Sequence, residues 1–179
     1  MEIKEFLKRI NTHTKAIYEN ERELALENGN IVNWLLGLAS GALLFSFNKY
    51  NTISTDNFSI MTIQACIFVI IIVVGFLHRN KTKAFRSNTI SMIRMFDFLA
   101  MEFELVPNEI ENELKNEKIA NIFDKYLNGY YFTENDMILF EEISRKQSLC
   151  NKAIKVLTIL SIVLMLIQFG CFFAIISIG

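Results

Sequence analysis

Residues 156–179 of the chain read VLTILSIVLMLIQFGCFFAIISIG, and these 24 residues contain no charged side chain. Two further windows, residues 28–48 and 57–77, are free of charge over 21 residues each. A helix needs about 20 mainly apolar residues to cross the hydrocarbon core of a bilayer. The three windows therefore predict three transmembrane helices, and they exclude a soluble globular enzyme as the first interpretation.

The residues that flank these windows predict an orientation, because basic residues close to a span stay on the cytoplasmic side. Five basic residues follow the second window and four precede the third, whereas the 49–57 connection has one lysine and the C-terminal end has none. We therefore expect the N terminus and residues 78–155 to lie in the cytoplasm. The 49–57 connection and Gly179 should lie outside the plasma membrane.

The nine flanking basic residues form a predicted collar at the inner membrane surface. Anionic lipids of the inner leaflet attract such residues by about 1 kcal/mol per basic side chain, so membrane lipids are expected partners. The simpler interpretation is that the collar acts as a topology signal alone. The collar consists of Arg79, Lys81, Lys83, Arg86, Arg94, Arg145, Lys146, Lys152 and Lys155.

Apolar residues at alternating four- and three-residue spacing predict helices that extend the spans into the cytoplasm. A stripe from Ile3 to Leu24 predicts an N-terminal amphipathic helix, which Asn28-Gly29-Asn30 should interrupt before the first span. A second stripe, Phe85 to Val106, continues the second span as one rod up to Pro107, where the helix should end.

A shorter helix and a last, very long helix follow in the sequence. Asn128-Gly129 predicts the end of the shorter helix. Thr133 followed by Asp136 resembles a capping box and predicts the start of the last helix. No turn signal interrupts residues 134–178, so their cytoplasmic and membrane portions should form one helix.

The predicted fold is all-α and integral to the membrane, with three transmembrane helices whose extensions form an antiparallel cytoplasmic helical bundle. Three spans offer one another few partners, so we expect a homo-oligomer. The predicted segments are a cytoplasmic amphipathic helix (1–27), transmembrane helices 31–48, 58–77 and 156–178, an external loop (49–57) and a cytoplasmic helical region (78–155).

The sequence contains no recognisable catalytic arrangement, and we do not expect an enzyme. The two histidines, His13 and His78, have no Cys or His neighbours at metal-ligand spacing, so neither a metal nor a cofactor is expected. His78 borders the second span, where an interfacial side chain is the simplest interpretation. The formal charge of -1 gives no reason to expect direct nucleic-acid binding.

Small and uncharged polar residues follow one side of the first span. In an oligomer this side is able to line a water-filled pore. For the first helix taken alone we favour close packing, in which the GxxxG pair Gly37 and Gly41 lets helices approach and Asn33 is hydrogen-bonded at the interface. The candidate residues for pore lining or helix packing are Asn33, Gly37, Ser40, Gly41, Leu44 and Asn48.

The layout of window 28–48 followed by the helix from Arg79 to Val106 resembles small membrane effectors of prokaryotic defence systems. Two groups are similar: the SLATT-type two-span effectors and the CRISPR-associated accessory membrane proteins of type VI-B loci. The third span departs from a two-span layout. The chain also lacks the Arg-to-His motif of HEPN ribonucleases, since three residues separate Arg9 from His13. The resemblance implies an oligomeric pore in the inner (plasma) membrane of a bacterial cell, which a cytoplasmic signal opens to depolarise the infected cell.

Two functional hypotheses follow. In the first, the chain is a homo-oligomeric membrane pore or permeability effector in antiviral defence, and its cytoplasmic bundle responds to a protein trigger. In the second, it is a non-conducting scaffold or regulatory subunit for a soluble cytoplasmic partner. The stripe Ile3 to Leu24 and the run Tyr130-Tyr131-Phe132 would then be docking surfaces, although core packing is the simpler interpretation of the aromatic run.

Overall fold

The computed structural model describes residues 3–50, 58–102 and 119–178, and their regular structure consists of helices without a strand. This confirms the predicted all-α class. Three of the helices are long and apolar enough to cross a membrane, judged by length and composition. The predicted end at Pro107 and residues 51–57 of the predicted loop lie outside the described residues. The helices are α1 (Ile3–Tyr50), α2 (Phe58–Glu102), α3 (Ile119–Leu127) and α4 (Glu134–Ile178).

The predicted interruption at Asn28-Gly29-Asn30 is wrong, because α1 passes through these residues as a regular helix. A glycine inside a helix costs only about 1 kcal/mol relative to alanine. Helix propagation is cooperative, so long helical segments on both sides can keep a short stretch of low helix propensity helical. The amphipathic N-terminal helix and the first charge-free window are therefore parts of one helix of 48 residues.

The other two continuous helices predicted from the sequence are confirmed over their described residues. α2 continues without a break from Phe58 to Glu102, and α4 covers the predicted residues Glu134–Ile178. Each of these helices has 45 residues, which corresponds to roughly 65 Å at about 1.5 Å per residue. That length is about twice the hydrocarbon thickness of a bilayer.

Local hydrogen bonds explain where α3 ends and α4 begins. The amide of Tyr130 donates to the carbonyl of Lys125 (3.0 Å) and that of Gly129 to Tyr126 (3.1 Å), which is the Schellman pattern. Gly129 has a φ of 73°, in the left-handed region that favours glycine. At the start of α4, the amide of Asp136 donates to the hydroxyl oxygen of Thr133 (3.3 Å), as the predicted cap requires.

The first of two compact units, here called the aromatic unit, contains the described parts of residues 3–24, 84–102 and 119–149. Its centre is Phe96, which is fully buried. The ring of Phe96 contacts four other rings at centroid distances of 5.4 to 5.8 Å. These rings belong to Tyr18 of α1, Tyr126 of α3, Phe132 of the following turn and Phe140 of α4. One aromatic cluster therefore joins parts of all four helices.

The second compact unit, here called the span unit, contains the described parts of residues 25–83 and 150–179. Ala39 of α1, Ile71 of α2 and Met165 of α4 form its buried apolar cluster. Gly75 of α2 allows close packing, since a Cβ there would lie 2.7 Å from Cδ1 of Leu36. The fully buried centre of this cluster is thus free of aromatic rings, although Phe68 and Phe169 pack against it.

The two predicted apolar stripes, on α1 and α2, are not equally well confirmed by the burial of their residues. The α2 stripe is confirmed over its described part, with Phe85, Thr89, Met92, Phe96 and Leu99 all buried. The α1 stripe is partly wrong, because Ile10 and Thr14 are buried whereas Ile17 and Leu24 are exposed. An α-helix has 3.6 residues per turn, so a stripe of strict 4-3 spacing drifts by about 20° per heptad. Beyond Thr14, the buried side of α1 is therefore displaced by one residue from the predicted stripe. It contains the half-buried Tyr18 in place of Ile17 and the buried Ala25 in place of Leu24.

Candidate functional site

The predicted face of the first span points away from the core of its own span unit. Asn33, Gly37, Gly41 and Asn48 are exposed, and Leu44 is 69% exposed. Ser40 is half-buried, and its hydroxyl donates to the carbonyl of Leu36 at 2.9 Å. Within the first span, the residues of α1 that the unit does bury lie on the other side of the helix, and they are Val32, Ala39, Ala42 and Ser46.

The GxxxG pair on this face has no packing partner within the described part of the chain. A Cβ at Gly37 or Gly41 would meet no heavy atom within 4 Å. Beside the pair lies an open groove of about 320 Å³, lined by Asn33, Trp34, Gly37 and Leu38. The glycine that serves close packing inside the unit is Gly75 instead. The face is therefore available to lipid or to another molecule.

All nine side chains of the predicted basic collar are exposed. Arg79, Lys81, Lys83, Lys152 and Lys155 belong to the span unit, and the other four belong to the aromatic unit. Lys146, one of these four, forms an ion pair with Glu142 at 2.6 Å. This pairing holds the pKa of Glu142 below its ordinary value. The lysine donates a hydrogen bond to the carboxylate, and its positive charge stabilises the ionised form.

Four polar side chains of the spans face the interior of the span unit, and this orientation could not be predicted from the sequence. Ser46, Gln64, Ser161 and Gln168 are each 0% or 1% exposed. The Nε2 atom of Gln168 donates to the carbonyl of Ala39 at 2.8 Å. Neither amide atom of Gln64 has a partner among the described residues.

His78 is also buried in the span unit, with 1% of its surface exposed, whereas the sequence suggested only an interfacial position. Its Nε2 atom lies 3.1 Å from the hydroxyl of Thr158, and its Nδ1 atom lies 3.5 Å from that of Thr82. Within the described residues, no group of His, Cys, Asp and Glu side chains is arranged to hold a metal ion. The seven-residue step from Ile71 to His78 predicts this burial in retrospect, since such residues share one face of a helix.

A polar network lies beside the aromatic core. The hydroxyl of Tyr126 donates to Oδ1 of Asn11 at 3.4 Å, and Lys15 forms an ion pair with Asp97. Burial and, to a lesser extent, the charge of Glu21 raise the pKa of Tyr18 to about 12. Burial and the charge of Asp97 likewise raise the pKa of the Tyr126 phenol. Both phenols are therefore uncharged at neutral pH.

A second set of hydrogen bonds in the aromatic unit centres on Gln147, which is 6% exposed. Its Nε2 atom donates to Oε2 of Glu21 at 3.0 Å and to the hydroxyl of Thr89 at 3.3 Å. One amide thus connects α1, α2 and α4 through side-chain hydrogen bonds.

Comparisons with known proteins add no family to this description. A scan against protein-family models, a search of curated proteins and a search of solved structures each found no match for the chain.

Proposed function

We propose that the chain is a homo-oligomeric protein of a bacterial inner membrane that acts as a pore or permeability effector. The observation that carries this proposal is the outward face of α1, where Asn33, Gly37, Gly41 and Asn48 are exposed. Polar residues on a membrane helix normally face protein or water, because lipid tails offer no hydrogen bonds. Because nothing in the described part of the chain covers this face, we expect its partner to be another molecule.

A second copy of the same chain is the simplest partner for this face. The open Cβ positions of Gly37 and Gly41 permit close approach of another helix backbone, which is how small residues promote association in membranes. In a closed ring of copies, one side of α1 would pack on its neighbour while Asn33, Ser40 and Asn48 contribute to the lining. Both earlier interpretations of the face, packing and pore lining, are compatible in such a ring.

The proposal also includes an orientation in the membrane and a signal received in the cytoplasm. The N terminus and the aromatic unit lie in the cytoplasm, where the spans' extensions form an antiparallel bundle, and Gly179 lies outside. The exposed collar binds anionic headgroups of the inner leaflet, as its nine basic side chains favour. The aromatic unit receives the signal, for which a cytoplasmic protein is the proposed trigger, and α1, α2 and α4 transmit it because each helix enters both units. The proposed setting, antiviral defence, rests on the layout of the sequence.

Permeability is tested by dye release from liposomes over a range of protein-to-lipid ratios, together with the membrane potential of bacteria that overproduce the chain. We expect release and depolarisation. The double variant Asn33→Leu and Ser40→Leu should reduce both, because it removes polarity from the proposed lining. The matched control is Thr62→Leu, which changes an exposed polar residue of α2. Sealed liposomes and normal potential at every level of wild-type protein would contradict the proposal.

The interface is tested with a pair of glycine variants. Gly37→Leu with Gly41→Leu fills open space, so the single chain should fold normally while the oligomer separates. The matched control is Gly170→Leu on α4, where a Cβ also meets no atom within 4 Å. Crosslinking in intact membranes should show oligomers for the wild type and the control only. Equal crosslinking of all three proteins would exclude this face as the interface.

One observation favours the alternative, a non-conducting scaffold for a soluble partner. The aromatic unit exposes several large apolar side chains, including Phe98 (58%) and Met101 (68%) on α2 and Ile138 (63%) on α4. If these residues dock a partner, Phe98→Asp with Met101→Asp should abolish its co-purification, and the liposomes should stay sealed. Dye release that persists in this variant would support the pore instead.

A further inference from the structure

His78 is an ionisable side chain in the interior of the span unit, one residue beyond the predicted span 58–77. Its ring lies between two hydroxyl groups, and only 1% of its surface is exposed. The Nε2 atom is 3.1 Å from Oγ1 of Thr158 on α4, and the Nδ1 atom is 3.5 Å from Oγ1 of Thr82 on α2. The ring of His78 therefore joins α2 to α4 by a side-chain hydrogen bond.

The hydrogen bonds of Thr158 show which ring nitrogen carries the proton. The Thr158 hydroxyl donates its hydrogen to the carbonyl of Ile154 at 2.9 Å, so its oxygen is left to accept from Nε2 of His78. In the neutral ring Nδ1 then has no hydrogen, and it accepts from the hydroxyl of Thr82. The geometry therefore corresponds to a neutral imidazole with its proton on Nε2.

A positive charge on this ring would have no acidic partner beside it. On α1, Val32 and Leu36 lie next to Gly75, about one turn from His78, and residues 28–48 contain no charge. The nearest charged residue of α1 in sequence is Glu27, which is exposed, and no ion pair joins it to His78 in the described part of the chain. The charged residues of α2 and α4 near this level are all basic and exposed, and they are Arg79, Lys81, Lys83, Lys152 and Lys155.

We propose that His78 makes the packing of α2 against α4 in the span unit sensitive to acid, because the neutral ring bridges Thr82 and Thr158 and protonation of Nδ1 weakens this contact. Hydroxyl oxygens are able to accept from a charged ring as well, so the opposing force is electrostatic. Burial removes the water that would stabilise the positive charge, and the surrounding basic residues repel it. Burial accordingly lowers the pKa of His78. This inference does not rest on the oligomeric pore.

The direction of the pH effect follows from the difference between the folded and the unfolded chain. The unfolded chain binds a proton at His78 near the ordinary pKa of 6.5, whereas the folded span unit keeps the ring neutral to lower pH. Below pH 6.5 the unfolded state therefore binds more protons, and stability falls as the pH falls. With the proposed orientation, His78 lies at the cytoplasmic end of the second span, so acidification of the cytoplasm is the signal.

The first experiment observes the ring directly, by nuclear magnetic resonance of the full chain in lipid nanodiscs. The chain contains two histidines, so ¹⁵N-histidine labelling gives few ring signals, and His13→Gln assigns them. At neutral pH the ring of His78 should be uncharged with its proton on Nε2, and its titration midpoint should lie below 6.5. A charged ring at neutral pH, a proton on Nδ1 of the neutral ring, or a midpoint at or above 6.5 would overturn the proposal.

The second experiment compares melting temperatures in detergent at a pH above 6.5 and at a pH below it. His78→Gln keeps a donor for Thr158 but cannot become charged, so it should lose less of its melting temperature in acid than the wild type. The matched control is His13→Gln, which changes an exposed histidine of the aromatic unit and should show the full wild-type loss. An equal loss in all three proteins would overturn the acid sensitivity. If His78→Gln does not fold, the titration of the wild-type ring decides alone.

Discussion

Gln147 of the aromatic unit and Gln64 of the span unit are both buried core residues of long helices, yet their surroundings differ. Gln147 donates to Glu21 and Thr89, whereas Gln64 has no partner among the described residues. The acceptors for Gln147 are side chains of α1 and α2. In the span unit, the buried side chains of Ser46, Ser161 and Gln168 donate instead to backbone carbonyls. Burial of a glutamine on a long helix therefore does not by itself bring side-chain partners: two neighbouring helices supply them at Gln147, and none of the described residues does so at Gln64.

The largest expected effect concerns the centre of the aromatic unit. Phe96→Ala should lower the free energy of unfolding by about 3–5 kcal/mol, because it removes a fully buried ring that contacts four others. The control Phe98→Ala changes a ring that is 58% exposed and should stay within about 0.5 kcal/mol. Guanidinium unfolding in detergent, followed by near-ultraviolet circular dichroism, measures both. Similar losses for the two variants would contradict the assignment of the core.

The two glutamines provide the second prediction. Gln147→Leu removes two hydrogen bonds within the aromatic unit and should cost about 1–3 kcal/mol. Gln64→Leu removes no bond to a described residue and should change stability by less than about 1 kcal/mol. The same unfolding measurement compares the two variants. A larger loss for Gln64→Leu would mean that the contrast between the units is wrong.

Two glycines, one in each unit, should differ in how much stability is lost when alanine replaces them. Gly129→Ala should destabilise the aromatic unit by about 1–2 kcal/mol, because the left-handed conformation disfavours a Cβ. That Cβ would also lie 2.7 Å from the Phe132 ring. Gly37→Ala, in a helix with open space around it, should not destabilise the fold. Thermal unfolding of both variants checks this, and a normal melting temperature for Gly129→Ala would refute it.

The effect expected to be smallest at neutral pH is that of Tyr18, because it appears only in alkaline solution. Burial raises the pKa of Tyr18 from 10.0 to about 12, so the folded chain keeps this proton at pH values where the unfolded chain loses it. Stability should therefore be unaffected by Tyr18 below pH 10 and fall between pH 10 and about 12. Tyr18→Phe should reduce this fall. A tyrosinate absorbance difference between the two proteins with a midpoint near pH 10 would contradict the burial of the phenol.

Local signals in the sequence predicted much of the fold. The absence of a turn signal over residues 134–178 predicted α4, and Asn128-Gly129 with Thr133 predicted the boundary between α3 and α4. These features depend on neighbouring residues, so they are readable from a single sequence. The break predicted at Asn28-Gly29-Asn30 failed because helical segments on both sides outweigh a short weak stretch.

The candidate site was harder to predict, because burial depends on partners that are distant in sequence. The sequence grouped Asn33, Gly37 and Asn48 on one side of α1, and the structure shows that this side is exposed. The burial of Gln64 and His78 follows from the sequence only once Ile71, seven residues from each, is known to be buried. Only the contacts of α2 with α1 and α4 reveal which side of α2 is the inner one.

The central claim is that copies of this chain associate through the exposed face of α1. The most direct test is the mass of the particle extracted from membranes into lipid nanodiscs, corrected for lipid. We predict one defined multiple of the 20.7 kDa chain for the wild type, and single chains for Gly37→Leu with Gly41→Leu. A wild-type particle with the mass of a single chain at every protein concentration would contradict the claim.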